Sequence, residues 1–249
     1  MRIKIMEILQ NGLFEKLTES LNITGGAGYY ALYVGLLLVI IIASYLFGGV
    51  NSAIVVSLAL YKEDIRTQGS GNAGMTNMLR TYGKGAAFLT WFGDMLKTVL
   101  SVLLAALIFG FHYKNGISLN GICYLAGLSA VFGHVFPIYY GFKGGKGVLV
   151  TAITAMMVCP PIFVAFMSTF IIIVGITKYV SLASCIVASL FPVAISLYSY
   201  FLGGRLDPLT VFSTVILGAF IVWCHRSNIQ RLKAGNEKKI SIGKKGKKG

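Results

Sequence analysis

The sequence predicts an all-α, polytopic membrane protein with about seven transmembrane helices, and three observations lead there. Of its 249 residues, 56% are hydrophobic and only 12% charged, against about a quarter charged in an ordinary soluble domain. The charges are also segregated: none falls between Tyr29 and Leu60, and only Lys178 falls between Gly147 and Gly204. The basic residues behind the net charge of +14 gather at the breaks between apolar runs. About 20 apolar residues cross the hydrocarbon core of a bilayer. Water is absent there, so the backbone must pair its own polar groups, as a helix does.

The first 28 residues do not read as a cleaved signal, because Glu7, Glu15, Lys16 and Glu19 interrupt any apolar stretch after Arg2 and Lys4. Residues 1–28 are expected to remain as an N-terminal extension. Ile5, Leu9, Leu13, Leu17 and Leu21 recur on one helical face, which suits a short interfacial helix. Residues 29–237 form the transmembrane domain and 238–249 a basic tail suited to anionic lipid. The spans are expected near 30–59, 86–112, 119–140, 147–159, 161–178, 181–201 and 208–224. Gly48, Gly49 and Asn51 predict a bend or tilt in the first, and Cys159-Pro160-Pro161 divides the fourth from the fifth. With the N-terminus outside, segments 60–85, 141–146, 225–249 and the turn at Lys178 carry sixteen of the 22 Lys and Arg residues. That excess puts the C-terminus in the cytosol. The four cysteines, Cys123, Cys159, Cys185 and Cys224, lie in or beside apolar runs with no metal-ligand spacing, so neither disulfide nor metal is expected.

Three clusters exceed what a plain membrane anchor needs, and the predicted topology puts all three on one side. The first runs from Gly69 to Arg80. Gly69, Gly71 and Gly74 let the backbone approach a ligand closely, while Ser70, Asn72 and Thr76 offer hydrogen bonds. The stretch from Met75 to Arg80 reads as a helical turn, and loops that open into a helix bind phosphate. The second is Lys143-Gly144-Gly145-Lys146-Gly147, at the start of the fourth span, where the helix dipole adds positive potential. It is not a Walker A loop: the spacing from Gly141 is one residue short, and Gly147 replaces the required Ser or Thr. Nucleotide triphosphate binding is thereby disfavoured, but binding of a simple phosphate is not. The third runs from His225, where His225 and Asn228 share a face of a continuing helix. A histidine is the natural general base for a hydroxyl. Inside the second span Asp94 and Lys97 read as a structural ion pair, and His134 reads as a satisfied histidine at the membrane interface.

These clusters closely resemble those of the bacterial acyl-phosphate:glycerol-3-phosphate acyltransferases, the PlsY family. The matching stretches are GSGNAGMTNMLR from Gly69, GHVFPIYYGFKGGKG from Gly133 and HRSNIQRLKAGNE from His225. The resemblance runs from Leu46 to about Glu237. It departs at Ala73, where proline is usual, and at Leu149, where a smaller residue is usual.

The resemblance implies transfer of a fatty acyl group from acyl phosphate to the 1-hydroxyl of sn-glycerol 3-phosphate, giving lysophosphatidic acid and phosphate. Both substrates carry phosphate, and the mixed anhydride is already activated, so no cofactor and no metal are expected. Carried onto this chain, the resemblance implies that Ser70, Asn72, Thr76 and Arg80 bind phosphate or polarise the acyl carbonyl. Gly69, Gly71 and Gly74 supply backbone N–H groups and room. Lys143, Gly144, Gly145, Lys146 and Gly147 hold glycerol phosphate, and His225 and Asn228 orient or deprotonate the hydroxyl. The expected partners are the two substrates and membrane lipids, not nucleic acid, and the expected state is a monomer. The expected location is a bacterial cytoplasmic membrane. A small-anion transporter is the alternative of a different class; it predicts polar residues threading the membrane, and only Asp94 and Lys97 offer such a path.

Overall fold

A computed structural model describes residues 12–23, 25–110, 113–114, 117–118, 121–202, 204 and 206–240. Among the described residues the regular structure is helical apart from a short antiparallel ladder, Tyr113–Lys114 against Ile117–Ser118. The helices are α1 (Gly26–Gly49), α2 (Ser52–Val56), α3 (Met75–Tyr82), α4 (Lys84–Phe109), α5 (Gly121–Val135), α6 (Val148–Val158), α7 (Pro160–Thr177), α8 (Val180–Phe201), α9 (Pro208–Cys224) and α10 (Arg226–Lys233). Among the described residues five helical segments are long and apolar enough to cross a membrane. A sixth is added if α9 and α10, which meet at a 53° bend, are counted as one.

The expected span at 147–159 differs from that expectation. Helix α6 has only 11 residues and rises about 16 Å, roughly half of the ~30 Å hydrocarbon core. The break at Cys159 and the prolines at the start of α7 end it there. An apolar run in a sequence does not reveal the depth at which it starts. The N-terminal segment also makes a contact that the sequence did not indicate. Residues 12–20 are helical, but the face that packs on the bundle is Phe14, whose ring lies 5.2 Å from those of Tyr29 and Phe109. The stripe of Leu13, Leu17 and Leu21 is exposed, while Ile5, Leu9 and the tail beyond 240 lie outside the described residues.

Helix α5 is the central post, buried along nearly its whole length, whereas α7 has no buried residue. Close crossing depends on small residues, because lipid gives apolar helices no reason to prefer each other over its own chains. Gly48 on α1 lies against the Ala130 carbonyl of α5, and Gly133 on α5 lies against the Tyr45 carbonyl of α1. Tyr45 Oη then donates to the Phe136 carbonyl at 2.8 Å. Gly127 admits Thr154 of α6, and Gly218 on α9 rests on the Ala188 carbonyl of α8.

The predicted irregularity in the first span occurs at Val50, between α1 and α2. Asn51 mends it: its Oδ1 accepts from Ile54 N–H at 3.2 Å, and its Nδ2 donates to the Ala73 carbonyl at 3.3 Å. Lys97 serves the freed carbonyls, donating to Gly48 O and Val50 O at 3.0 Å each. The segments 57–83, 136–147, 178–179 and 225–240 therefore gather at one end of the bundle. A Cβ added at Gly133 has no room beside the Tyr45 carbonyl. Overpacking of this kind typically costs ~1–3 kcal/mol. Gly133→Leu should lower the Tm of detergent-solubilised protein by several degrees, and an unchanged Tm would contradict the close crossing.

Candidate active site

The first loop is shaped by Asn77, which is 1% exposed. Its Oδ1 accepts from Ser70 N–H at 2.9 Å. Its Nδ2 donates to the Gln68 carbonyl at 2.9 Å and to the Ile65 carbonyl at 3.3 Å. Gly71, at φ +72°, takes the left-handed turn that lets the chain close on itself, which side chains disfavour. Helix α3 begins at Met75, as the sequence predicts. The N–H groups of Met75 and Thr76 in its first turn have no acceptor within the helix, which leaves them for an anion. Arg66 ties this loop to the second: its guanidinium donates to Asp64 at 2.7 Å and to the main-chain oxygens of Tyr140 at 2.7 Å and Lys143 at 3.0 Å. The hydrogen bond from Arg66 holds the Asp64 carboxyl below the usual range despite its partial burial.

The second loop divides its residues between two tasks. Gly144 N–H donates to the Val135 carbonyl at 3.0 Å and Gly145 N–H to the His134 carbonyl at 3.1 Å, so both serve the loop's own fold. Lys143 is exposed and does not line the cavity described below. Lys146 turns inward and donates to Asn228 Oδ1. Burial, reinforced by the charge of Arg231, lowers the Lys146 pKa from its ordinary value. Gly147, at φ +78°, ends the loop and starts α6.

Beneath the loops Asp94, Lys97 and His134 form a buried group. Lys97 Nζ lies 2.8 Å from Asp94 Oδ1 and 2.9 Å from His134 Nδ1. The pairing read from the sequence is thus present, and His134 joins it. Donation from an ammonium to Nδ1 leaves the imidazole hydrogen on Nε2, beside Gly145 and the Ala73 carbonyl.

The third segment starts just past the end of α9. His225 is 4% exposed, and its Nδ1 lies 2.7 Å from the Ile221 carbonyl. A carbonyl only accepts, so Nδ1 carries the hydrogen and Nε2 keeps a lone pair. Burial pulls the His225 pKa down to about 4, so the imidazole is neutral at physiological pH. On α10, Asn228 and Arg231 meet Glu237: Asn228 Nδ2 donates at 2.6 Å and Arg231 Nε at 2.8 Å. Ser181, at the start of α8, donates to Glu237 at 2.8 Å. Burial opposes ionisation of Glu237, but these three donors outweigh it and lower its pKa.

All three segments border one cavity of about 720 Å³. Gly69, Ser70, Gly71, Asn72, Gly74, Thr76, Arg80, Lys146, Gly147, His225 and Asn228 line it, whereas Lys143, Gly144 and Gly145 do not. Ser181, Arg231, Asp94 and His134 line it as well. Its inner wall is apolar, with Leu149, Phe163, Phe166, Met167, Phe170 and Phe191. Sequence reasoning assigned no ligand role to Asn51, Arg66, Asn77 or Ser181. Asn77 lay inside a quoted motif, but its partners follow only from the fold. Ser181 carried no signal, because its partner is 56 residues away. Among the described residues no group of three or more His, Cys, Asp or Glu is placed to hold a metal ion.

The sequence profile described as Glycerol-3-phosphate acyltransferase matches residues 38–235. A glycerol-3-phosphate acyltransferase of Halorhodospira halophila is 40% identical over 202 residues, covering 81% of this chain and 95% of the relative. Another, of Clostridioides difficile, is 37% identical over 203 residues, covering 82% and 95%. Among solved structures, PlsY (YgiH), an integral membrane glycerol 3-phosphate acyltransferase in its glycerol 3-phosphate form, superposes with a TM-score of 0.70 at 31% identity over 82% of this chain and 96% of that one. Its lysophosphatidic acid form gives 0.68 at 30% identity, over 82% and 95%. With the profile spanning most of the chain and relatives matched over nearly their whole length, the chain belongs to the glycerol-3-phosphate acyltransferase family of integral membrane proteins.

Proposed function

We propose that the protein transfers a fatty acyl group from acyl phosphate to the 1-hydroxyl of glycerol 3-phosphate, releasing lysophosphatidic acid and inorganic phosphate. One observation carries this reading: a single cavity joins a mouth of Ser70, Thr76, Arg80, Lys146, Arg231 and His225 to a wall of Phe163, Phe166, Met167, Phe170 and Phe191. The mouth suits two phosphates and the wall suits a fatty chain. A small-anion path needs polar lining through the membrane, and the deep wall is apolar. The excess of basic residues at the site's end of the bundle supports a cytosolic site in a bacterial cytoplasmic membrane.

In the proposed reaction the 1-hydroxyl oxygen attacks the acyl carbonyl carbon. The carbon–oxygen bond to phosphate breaks, and phosphate leaves with its bonding electrons. The hydroxyl proton passes to His225 Nε2, whose orientation the Ile221 carbonyl fixes. The α3 N–H groups, with Ser70 and Arg80, stabilise negative charge on the acyl phosphate as it grows. Lys146, held by Asn228, pairs with the glycerol phosphate. Glu237 keeps Asn228 and Arg231 in place and itself remains ionised.

The direct test supplies purified protein with glycerol 3-phosphate and either acyl phosphate or acyl-CoA. Lysophosphatidic acid should form with the phosphate donor alone, and product from acyl-CoA alone would overturn the donor assignment. A general acid–base group contributes ~10²–10⁴-fold, so His225→Ala and Arg80→Ala should each lower the rate at least tenfold. Near-normal turnover in both would refute their roles. The His225 pKa near 4 sets the pH dependence. The base is protonated only as pH falls through that value, so, once the ionisation of the substrate phosphates at about pH 6 is divided out, kcat/KM should stay flat from pH 8 down to about 5.5. An acidic limb near pH 6.5 that persists after that correction would show that the imidazole is not held neutral by burial.

A further inference from the structure

We propose that Lys238, carried on a strap of chain across the cavity mouth, is a substrate-binding residue that grips an incoming phosphate group. The inference rests on the reading that phosphate-bearing substrates occupy this cavity. The strap follows α10 and is fastened at several points. Asn236 N–H donates to the Arg231 carbonyl at 2.8 Å, and Ile240 N–H donates to the Lys178 carbonyl at 2.9 Å. Between them Glu237 is held by Ser181, Asn228 and Arg231. This clamp sets where the next two side chains go, and they diverge. Lys239 lies over the Tyr179 ring, 5.5 Å from its centroid. Lys238 reaches across the mouth to the Gly69 carbonyl at 3.2 Å and lines the cavity.

An ammonium has three donors, and here one rests on a neutral carbonyl at the long end of the hydrogen-bond range. Lys238 is exposed, so it needs little dehydration to change partner. A phosphate offers full negative charge, and charge-assisted hydrogen bonds are about twice as strong as neutral ones. The Gly69 carbonyl thus serves as a resting place beside the loop where Ser70 and the α3 N–H groups await an anion. The flexible four-carbon stem lets the cation swing inward while Glu237 holds the backbone. Lys238 lies just beyond residue 235, where the family match ends.

The test compares Lys238→Met with Lys239→Met in the full-length protein, since both remove one charge from the same strap. KM is measured for glycerol 3-phosphate and for acyl phosphate, each with the other saturating. Lys238→Met should raise one or both KM values about three- to tenfold with kcat within about twofold. Lys239→Met should behave as wild type, and Lys238→Arg should recover most of the loss. The KM that moves identifies whose phosphate the lysine holds. Thermal stabilisation by glycerol 3-phosphate alone needs no turnover and should weaken in Lys238→Met if that phosphate is the one held. If wild-type protein makes no product from acyl phosphate, the donor reading fails while Lys238 is still judged by glycerol 3-phosphate and the working donor. Equal effects in the two Met variants would mean that only the charge of the tail matters, and would overturn the proposal. So would unchanged KM values, or a fall in kcat together with a lower Tm.

Discussion

A helix that breaks within a bilayer frees carbonyls that lipid cannot satisfy, and here one ammonium meets them. Lys97 donates to Gly48 O and Val50 O at the interruption between α1 and α2, while Asp94 balances its charge at 2.8 Å. Unsatisfied backbone groups cost several kcal/mol each in hydrocarbon, and an unpaired buried cation costs more. Each charge is therefore acceptable only because the other is present. Because Lys97 also touches His134, the same contact joins the end of α1, the middle of α4 and the end of α5. Those three points are the floor on which the loops stand. Irregular backbone at membrane depth is tolerated where it lines a cavity, and this floor borders one through Asp94 and His134.

The loops above it are tied to one another and to the helix ends beside them. Arg66 links the first to the second, Lys146 links the second to α10, and Glu237 links α10 to α8. Each link is charge-assisted, and all but the Arg66 bond to the Lys143 carbonyl are partly shielded from water, the setting in which such bonds are strongest. Shielding also lowers the Lys146 pKa and keeps His225 neutral. In the proposed reaction that combination favours a neutral base beside anion donors, at the end of a greasy channel.

Much of this was legible in the sequence because its signals are local. Charge-free runs gave the membrane helices, and the break after Gly48-Gly49 follows from residues adjacent in the chain. Gly69 to Arg80 announced a turn into a helix, and α3 begins at the expected Met75. What escaped depends on distance. Asn51 acts on a carbonyl 22 residues away, Arg66 on one 74 residues away, and Ser181 on a carboxylate 56 residues away, and no spacing rule reaches so far. Lys143 and Lys146 look equivalent in a basic, glycine-rich run, yet only Lys146 enters the cavity. Gly144 and Gly145 spend their N–H groups on the loop itself. Leu13 and Leu17 lie on the helix of residues 12–20, but it is Phe14 whose ring meets the bundle, a contact that no helical periodicity points to.

The central claim is that segments far apart in the chain act as one site, and a double-mutant cycle on turnover reads this most directly. Lys146 and Asn228 are 82 residues apart in sequence yet directly bonded. Residues in contact show interaction energies of ~0.5–3 kcal/mol, whereas distant ones add. Lys146→Met, Asn228→Ala and the double variant should therefore have non-additive effects on kcat/KM. The double loss should fall short of the product of the single losses by at least about threefold. Strict additivity would contradict the account.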